Sequence, residues 1–210
     1  MIIAVDGQAA SGKGTLSRRL AHTYNLAYLD TGLIYRAVAR KVLEADAKFE
    51  DEKAMIKAAE ALHPKDLERD DLRTDEVSQG ASIAGSIAEV RKALLEFQRN
   101  FAEDPPADKE GAVLDGRDIG TVVCPNADFK FFVTGNVEIR AKRRHKELLS
   151  SGQDVIYARV LDDLKERDGR DAGRTIAPMK AAEDAVLINT SSMDAEEVFA
   201  IAVYHVGRMT

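Results

Sequence analysis

A glycine-rich run near the start of the chain carries the first residues that indicate chemistry. Gly7 and Gly12 are separated by four residues and Lys13 follows directly, which gives the pattern G-x-x-x-x-G-K. Small residues are needed where successive backbone N–H groups converge on phosphate oxygens, and a lysine adds positive charge. An apolar segment precedes the run and a helical pattern follows it. We therefore predict a nucleoside triphosphate site built from Gly7, Gln8, Ala9, Ala10, Ser11, Gly12, Lys13, Gly14 and Thr15.

The residue after Lys13 bears on metal binding. Gly14 stands where many phosphate loops have the serine or threonine that ligates Mg²⁺, and Thr15 follows one position later. Mg²⁺ dehydrates reluctantly and keeps several water ligands. We expect the nucleotide phosphates and water to hold Mg²⁺, and no protein ligand is assigned. The four histidines show no metal-ligand spacing.

Composition and charge limit the class of protein. The chain has 210 residues, of which 45% are hydrophobic and 31% charged, as in globular domains with one full core. No apolar run reaches the length of a membrane span, and the single Cys124 excludes an internal disulfide. We therefore expect a cytoplasmic protein without membrane contact. The formal net charge of −6 argues against binding to a nucleic-acid polymer.

Positive charge is concentrated between residues 140 and 174. A solvated helical face with acidic neighbours is the simplest interpretation of such a stretch. Because the chain also has a phosphate loop, we favour an anion-binding role for part of it. The cations are Arg140, Lys142, Arg143, Arg144, Lys146, Arg159, Lys165, Arg167, Arg170 and Arg174.

Short apolar segments predict five buried strands, at residues 2–5, 27–29, 112–114, 129–133 and 186–188. Helical patterns separate them, which implies βαβ crossovers. We predict an α/β fold with a doubly wound five-stranded parallel sheet. Apolar residues spaced 4, 3, 4, 3, 4 from Ile83 to Phe101 predict one long amphipathic helix. Thr31 is expected to cap another helix, and further helices are predicted at 15–26, 52–62, 136–149, 154–167 and 195–206.

Three charged motifs lie after predicted strands or ahead of the last one, where a doubly wound sheet places its ligands. Residues 30–36 are D-T-G-L-I-Y-R, residues 115–118 are D-G-R-D, and residues 167–174 are R-D-G-R-D-A-G-R. Each motif alone is typical of turns and surface ion pairs. Combined with the phosphate loop, they indicate a site for a second anionic substrate.

With these motifs the chain resembles the bacterial cytidylate kinases, a family of P-loop nucleoside monophosphate kinases. The match runs nearly end to end and includes G-Q-A-A-S-G-K-G-T, D-G-R-D-I-G-T-V-V and E-R-D-x-R-D-x-x-R. The resemblance implies phosphorylation of CMP or dCMP by ATP with Mg²⁺, in a monomeric enzyme. It further implies one kinase domain over residues 1–210, with a mobile acceptor-binding lobe at 37–90 and a mobile lid at 145–174. Residues 150–152 and 169–173 are the expected flexible points of that lid.

The resemblance also assigns roles to single residues on the acceptor side. It implies that Arg36 and Arg117 bind the acceptor phosphate together with the Thr31 hydroxyl, and that Asp171 and Arg167 contact the ribose. Cytosine has an N4 donor beside the acceptors N3 and O2, which suits a carboxylate and guanidinium groups. The residues implied in base recognition are Ser82, Arg91, Asp118 and Arg174.

Catalysis by such an enzyme depends on charge. Two unit charges ~4 Å apart repel by ~4 kcal/mol at an effective dielectric constant of ~20, so cations must offset the repulsion between two phosphate chains. Alignment and charge stabilisation are sufficient, and no general base is needed. The implied catalytic residues are Lys13, Arg117, Arg143, Arg144, Arg170 and Arg174.

Other functions remain open from the residues alone. A regulatory GTPase would share the phosphate loop, but the guanine-reading N-K-x-D is absent from the sequence. A P-loop kinase of UMP or of a non-nucleotide such as shikimate would share the fold, and a binding module that uses ATP is the simplest alternative. The chain also departs from the family pattern. The segment at residues 44–80 has fewer residues than the usual bacterial insert at this place, so the preference between CMP and dCMP stays open.

Overall fold

A five-stranded parallel sheet forms the centre of the computed structural model, which describes residues 1–207 and leaves the last three residues of the predicted 1–210 domain outside the description. The strand order is β2-β3-β1-β4-β5, so β1 lies between β3 and β4. Ile3 pairs with Val113 on one side and with Phe129 on the other. The predicted fold class is confirmed. The strands are β1 Ile2–Gly7, β2 Ala27–Asp30, β3 Ala112–Gly116, β4 Phe129–Thr134 and β5 Val186–Asn189.

Helices connect the strands. Two short 3-10 helices, Pro64–Glu68 and Asp70–Arg73, precede α4, and one turn of π-helix, Ile119–Val123, follows β3. None of the helices within residues 1–207 is long and apolar enough to cross a membrane. The α-helices are α1 Lys13–Thr23, α2 Thr31–Glu44, α3 Glu52–Glu60, α4 Asp75–Ala84, α5 Ala88–Glu103, α6 Val137–Ser150, α7 Tyr157–Gly173 and α8 Ala195–Gly207.

The chain divides into two compact units. The first comprises Met1–Leu29 and the chain from Ala102 onward, and the second is Asp30–Phe101. The first unit has the phosphate loop, four whole strands and nearly all of β2. The second has α2, α3, α4 and most of α5. The predicted acceptor-binding lobe at 37–90 falls in the second unit, and the predicted lid at 145–174 falls in the first.

The core of the first unit explains why its strands have apolar sequences. A parallel sheet covered by helices is buried on both faces, so its strands are apolar at nearly every position. Ile3 and Phe131 are buried in the sheet, and Leu20 of α1 packs in the same cluster. Val198 and Ala202 of α8 are buried there as well, so this helix packs on the same cluster.

The predicted long helix from Ile83 to Phe101 is wrong, because two helices occupy this segment. Helix α4 ends at Ala84 with Gly85 as its C-cap, and α5 begins at Ala88. The Ser86 hydroxyl donates to the Ile83 carbonyl at 2.6 Å. Glycine and serine both favour helix ends, since glycine loses much entropy in a helix and serine competes for backbone hydrogen bonds. The apolar spacing continues across the break and hides it.

Two further details differ from the sequence predictions. Thr31 is the first residue of α2 and Asp30 is its N-cap, so Thr31 does not cap that helix. Residues 169–173, predicted as a flexible point, belong to α7, which continues to Gly173. The chain does turn at Gly152, whose φ of +80° lies in the left-handed region that favours glycine.

Candidate active site

The phosphate loop joins β1 to α1, and its two glycines are required for different reasons. A Cβ on Gly7, whose φ is +151°, would lie 2.0 Å from the carbonyl oxygen of Val133 in β4. Gly12 has a φ of +94° and is the N-cap of α1, where no side chain caps the helix within the described structure. The N-terminus of α1 is therefore suited to bind an anion. Both glycines were expected to allow the approach of phosphate, and the structure adds that Gly7 has no room for a Cβ against β4.

A buried carboxylate lies beside the lysine of this loop. The Lys13 Nζ is 3.8 Å from Asp115 Oδ1, and the Tyr28 hydroxyl donates to Asp115 Oδ2 at 2.6 Å. Asp115 is the first residue of the predicted D-G-R-D motif, yet the sequence predictions gave it no role. Its position at the end of β3 is where parallel sheets place functional groups, and that signal would have identified it.

Asp6 links the end of β1 to the segment after β3. Its Oδ1 accepts from the Ile119 N–H at 2.7 Å and its Oδ2 accepts from the Gly120 N–H at 2.8 Å. Burial raises the pKa of Asp6 to about 7, although the two backbone hydrogen bonds oppose that rise. These bonds fix the π-turn directly after Arg117 and Asp118. The sequence predictions did not identify Asp6.

Three predicted arginines surround one predicted carboxylate in the first unit. Arg117 Nε donates to Asp171 Oδ2 at 2.8 Å, Arg174 Nη2 donates to Asp171 Oδ1, and Arg167 Nε lies 3.9 Å from Oδ2. Burial favours the neutral acid, but Arg117, Arg174 and Arg167 outweigh it and lower the pKa of Asp171. Burial likewise opposes the charge of Arg117, yet its pKa is raised because Asp171, Asp115 and Asp168 are close. The structure therefore brings these four residues together.

The other predicted catalytic arginines lie on α6 and α7 and contact other groups of the protein. Arg143 donates to the Thr190 hydroxyl at 2.9 Å and to the Thr190 carbonyl at 2.6 Å. Arg144 forms an ion pair with Glu147, and Arg170 forms one with Glu166. Arg143 is thereby held to the segment after β5, and none of these contacts joins the three arginines to one another.

A cavity of about 350 Å³ opens beside the phosphate loop in the first unit. Leu16, Met193 and Val198 give it apolar walls, and its volume suits a heterocyclic base. The remaining lining residues are Ala10, Ser11, Gly12, Thr15, Arg143, Glu147, Thr190, Asp194 and Ala195.

The second unit has its own set of predicted residues. Arg36 Nη1 donates to the Leu72 carbonyl at 3.0 Å, and the Thr31 side chain is buried. The Arg91 guanidinium lies 5.7 Å from the centre of the Tyr35 ring. Ser82 is also buried, and its hydroxyl has no hydrogen-bond partner among residues 1–207. An orphaned buried hydroxyl is costly and calls for a ligand or water as its partner.

Residues 1–207 contain no group of three or more His, Cys, Asp or Glu side chains that could hold a metal ion. A metal with few protein ligands would have to rely on the nucleotide and water. The Asp115 carboxylate lies next to Lys13 of the phosphate loop.

A phosphate loop at the end of the central strand, with Arg117 after the neighbouring strand β3 and Arg167 and Arg174 of the α7 segment around Asp171, is typical of a P-loop phosphotransferase. The chain belongs to the cytidylate kinase family, because its sequence matches the model of that family over residues 3–208.

Individual relatives agree with this assignment. A cytidylate kinase of Rhodospirillum rubrum is 56% identical over 203 residues, which cover 97% of this chain and 95% of that protein. One of Paramagnetospirillum magneticum is 55% identical over 206 residues and covers 98% of this chain and 97% of its own. An uncharacterized protein of Eubacterium ventriosum has a solved structure with a TM-score of 0.54 and 14% identity, covering 99% of this chain and 98% of that chain. That structure supports the fold alone.

Proposed function

We propose that the protein transfers the γ-phosphoryl group of ATP to CMP or dCMP, giving CDP or dCDP. Family membership supports this reaction. The observation that carries it is the group of Arg117, Arg167 and Arg174 around Asp171. Three guanidinium groups around one carboxylate leave an excess of positive charge within this group, which favours an anionic substrate such as a phosphate monoester. The same unit has the phosphate loop.

ATP binds, in this proposal, to the loop and to the adjoining cavity. The uncapped N-terminus of α1 and the Lys13 ammonium take the phosphates, and the apolar walls of the cavity take the adenine. Arg143 shapes this cavity by holding the segment around Thr190. Asp115 would hold Mg²⁺ next to the phosphates, directly or through water. The ion when bound neutralises developing charge on the phosphate oxygens.

Acceptor roles are proposed for residues of each unit, taken one unit at a time. In the second unit, Arg36 and Thr31 bind the acceptor phosphate, while the Ser82 hydroxyl and Arg91 contact the base. The orphaned hydroxyl of Ser82 supports this role, because a base acceptor would complete its hydrogen bonding. In the first unit, the acceptor ligands are Arg117, Asp118, Arg167, Asp171 and Arg174.

The chemical step needs cations rather than a base. Lys13 and Arg117 offset the repulsion between the donor and acceptor phosphates, and Arg144, Arg170 and Arg174 add charge as the phosphoryl group moves. Arg144 and Arg170 are at present paired with glutamates. Exchange of those partly exposed partners for phosphate oxygens costs little, since surface ion pairs contribute little energy.

The composition of the chain bears on where the protein acts. We propose a cytoplasmic monomer that acts in pyrimidine nucleotide metabolism. The net charge of −6 and the single, buried Cys124 support a reducing compartment without a polyanionic partner.

The test is a coupled assay of ADP release with ATP, Mg²⁺ and each of CMP, dCMP, UMP, AMP and shikimate. We expect turnover with CMP or dCMP. UMP should be poorer by about 10²-fold or more in kcat/KM, because its reversed donor and acceptor leave buried polar groups unpaired. Shikimate or UMP as the best acceptor would favour the alternative P-loop kinases. ATP binding without turnover of any acceptor would favour a binding module.

A further inference from the structure

Arg140 is the most deeply buried cation of the basic stretch. Its side chain is 2% exposed, and its guanidinium makes three hydrogen bonds to different parts of the chain. Nε donates to the Gly135 carbonyl at 2.8 Å, Nη1 to the Ala9 carbonyl at 3.1 Å, and Nη2 to Asp168 Oδ2 at 2.6 Å. One side chain of α6 therefore joins the end of β4, the phosphate loop and α7.

Asp168 brings a second connection to the same loop. The Gln8 side chain donates to Asp168 Oδ2 at 3.4 Å, and its own oxygen accepts from the Thr134 hydroxyl at 2.8 Å. Asp168 stands next to Arg167 on α7 and three residues before Asp171, both of which we assign to the acceptor. Gln8 was predicted to bind nucleotide, and its side chain contacts this network.

We propose that Arg140 and Asp168 are a positioning pair, which fixes the phosphate loop relative to the arginines of α7. This inference rests on the proposed kinase function. Arg140 does not bind phosphate in this scheme, because all three nitrogens of its buried guanidinium are engaged by protein acceptors. The pair acts on the reaction through Ala9 on the donor side and through Arg167 and Asp171 on the acceptor side.

Energetics favour positioning over simple stabilisation. Removing two charges from water is expensive, and apolar residues of similar volume often stabilise a protein equally well. A buried pair with three directed hydrogen bonds does set one geometry, which an apolar cluster would not. Catalysis depends on such geometry, since a misplacement of ~1 Å can lower a rate ~10²-fold. Asp168 also acts at a distance, because its charge helps to raise the pKa of Arg117.

The test replaces Asp168 by asparagine, which keeps the volume and one acceptor oxygen but removes the charge. Asp162→Asn is the matched control, since Asp162 is an exposed residue of the same helix. We expect D168N to lower kcat with CMP about 10- to 100-fold, with KM for ATP and CMP changed less than about threefold. D162N should match the wild type.

A second variant and a double-variant comparison sharpen the result. Arg140→Lys keeps the positive charge but loses the forked geometry of the guanidinium. If D168N does not fold, R140K alone tests the proposal. We expect R140K to lower kcat similarly, and R140K with D168N together to be no worse than the worse single variant, because both disrupt one unit. Additive losses, or a lower melting temperature with unchanged kcat of the folded enzyme, would overturn the proposal.

A readout without the acceptor separates this inference from the proposed function. In the absence of nucleotides, amide hydrogen exchange at residues 8–10 should be faster in D168N than in D162N. Faster exchange would support the pair even if the wild type phosphorylated no acceptor, a result that would refute only the kinase assignment. Equal exchange at residues 8–10 would refute the pair.

Discussion

Replacing Asp6 by asparagine should change how the stability of the protein depends on pH. Asp6 is 4% exposed, and its carboxylate accepts hydrogen bonds from the N–H groups of Ile119 and Gly120. Asparagine has nearly the same volume but one acceptor oxygen, so one of the two N–H groups would face an amide donor. The variant also has no titratable group at position 6.

The size and the sign of the effect follow from the pKa. Burial raises the pKa of Asp6 from 3.8 to about 7 in the folded protein. Between pH 4 and pH 7 the folded state therefore holds a proton that the unfolded state has released. Asp6 stabilises the folded state fully below about pH 4, and this contribution is lost as the pH rises through about 7. A difference of about three pH units corresponds to about 4 kcal/mol, of which about 3 kcal/mol falls between pH 5 and pH 8.

Urea denaturation at pH 5, 6, 7 and 8 measures this quantity. The free energy of unfolding of the wild type minus that of D6N should decrease by about 3 kcal/mol across the series. Asp162→Asn removes an exposed carboxyl from the same chain and should show a nearly constant difference from the wild type. If the wild-type and D6N curves run parallel from pH 5 to pH 8, Asp6 is ionised throughout, and the argument from burial fails.

Two further substitutions test the loop and the acceptor site. Gly7→Ala should lower the free energy of unfolding by about 3 kcal/mol or more in urea denaturation, because the new Cβ would lie 2.0 Å from the backbone oxygen of Val133, which cannot rotate away. Gly169→Ala on α7 is the control, because a Cβ there would meet nothing within 4 Å. This variant should be as stable as the wild type or slightly more stable, and equal losses of stability in the two variants would contradict the steric argument. Arg36→Ala should raise KM for CMP about 10- to 100-fold while calorimetry finds ATP binding unchanged, as expected for lost charge-assisted hydrogen bonds. Arg40→Ala, one turn along α2 in an ion pair with Asp71, should leave KM for CMP unchanged, and an unchanged KM for CMP in R36A would remove Arg36 from the site.

The fold was predictable because its signals are local. Each strand is an apolar run, since helices cover both faces of the parallel sheet, and all five strands lie where those runs predict. Errors occurred where local signals conflict with tertiary contacts. The helix predicted at 154–167 was expected to be followed by a flexible point at 169–173, but α7 continues past Gly169 and ends at Gly173, and Asp171 on that stretch is bonded to Arg117 and Arg174. The break at Gly85 was hidden because the apolar spacing stays in phase across it.

The motifs of the site were visible in the sequence, but the residues that hold them in place were not, for a physical reason. A side chain that bonds to another side chain requires a particular residue type at the partner position. Asp6 instead bonds to the N–H groups of Ile119 and Gly120, and Arg140 bonds to the carbonyls of Ala9 and Gly135. Any residue but proline supplies that N–H group, and every residue supplies that carbonyl, so the partner position carries almost no sequence signal. Residues of this kind become apparent only when burial and backbone geometry are known. Substitution of Asp6 should accordingly affect the segment after D-G-R-D, and substitution of Asp168 should affect the phosphate loop, although neither residue is part of the motif concerned.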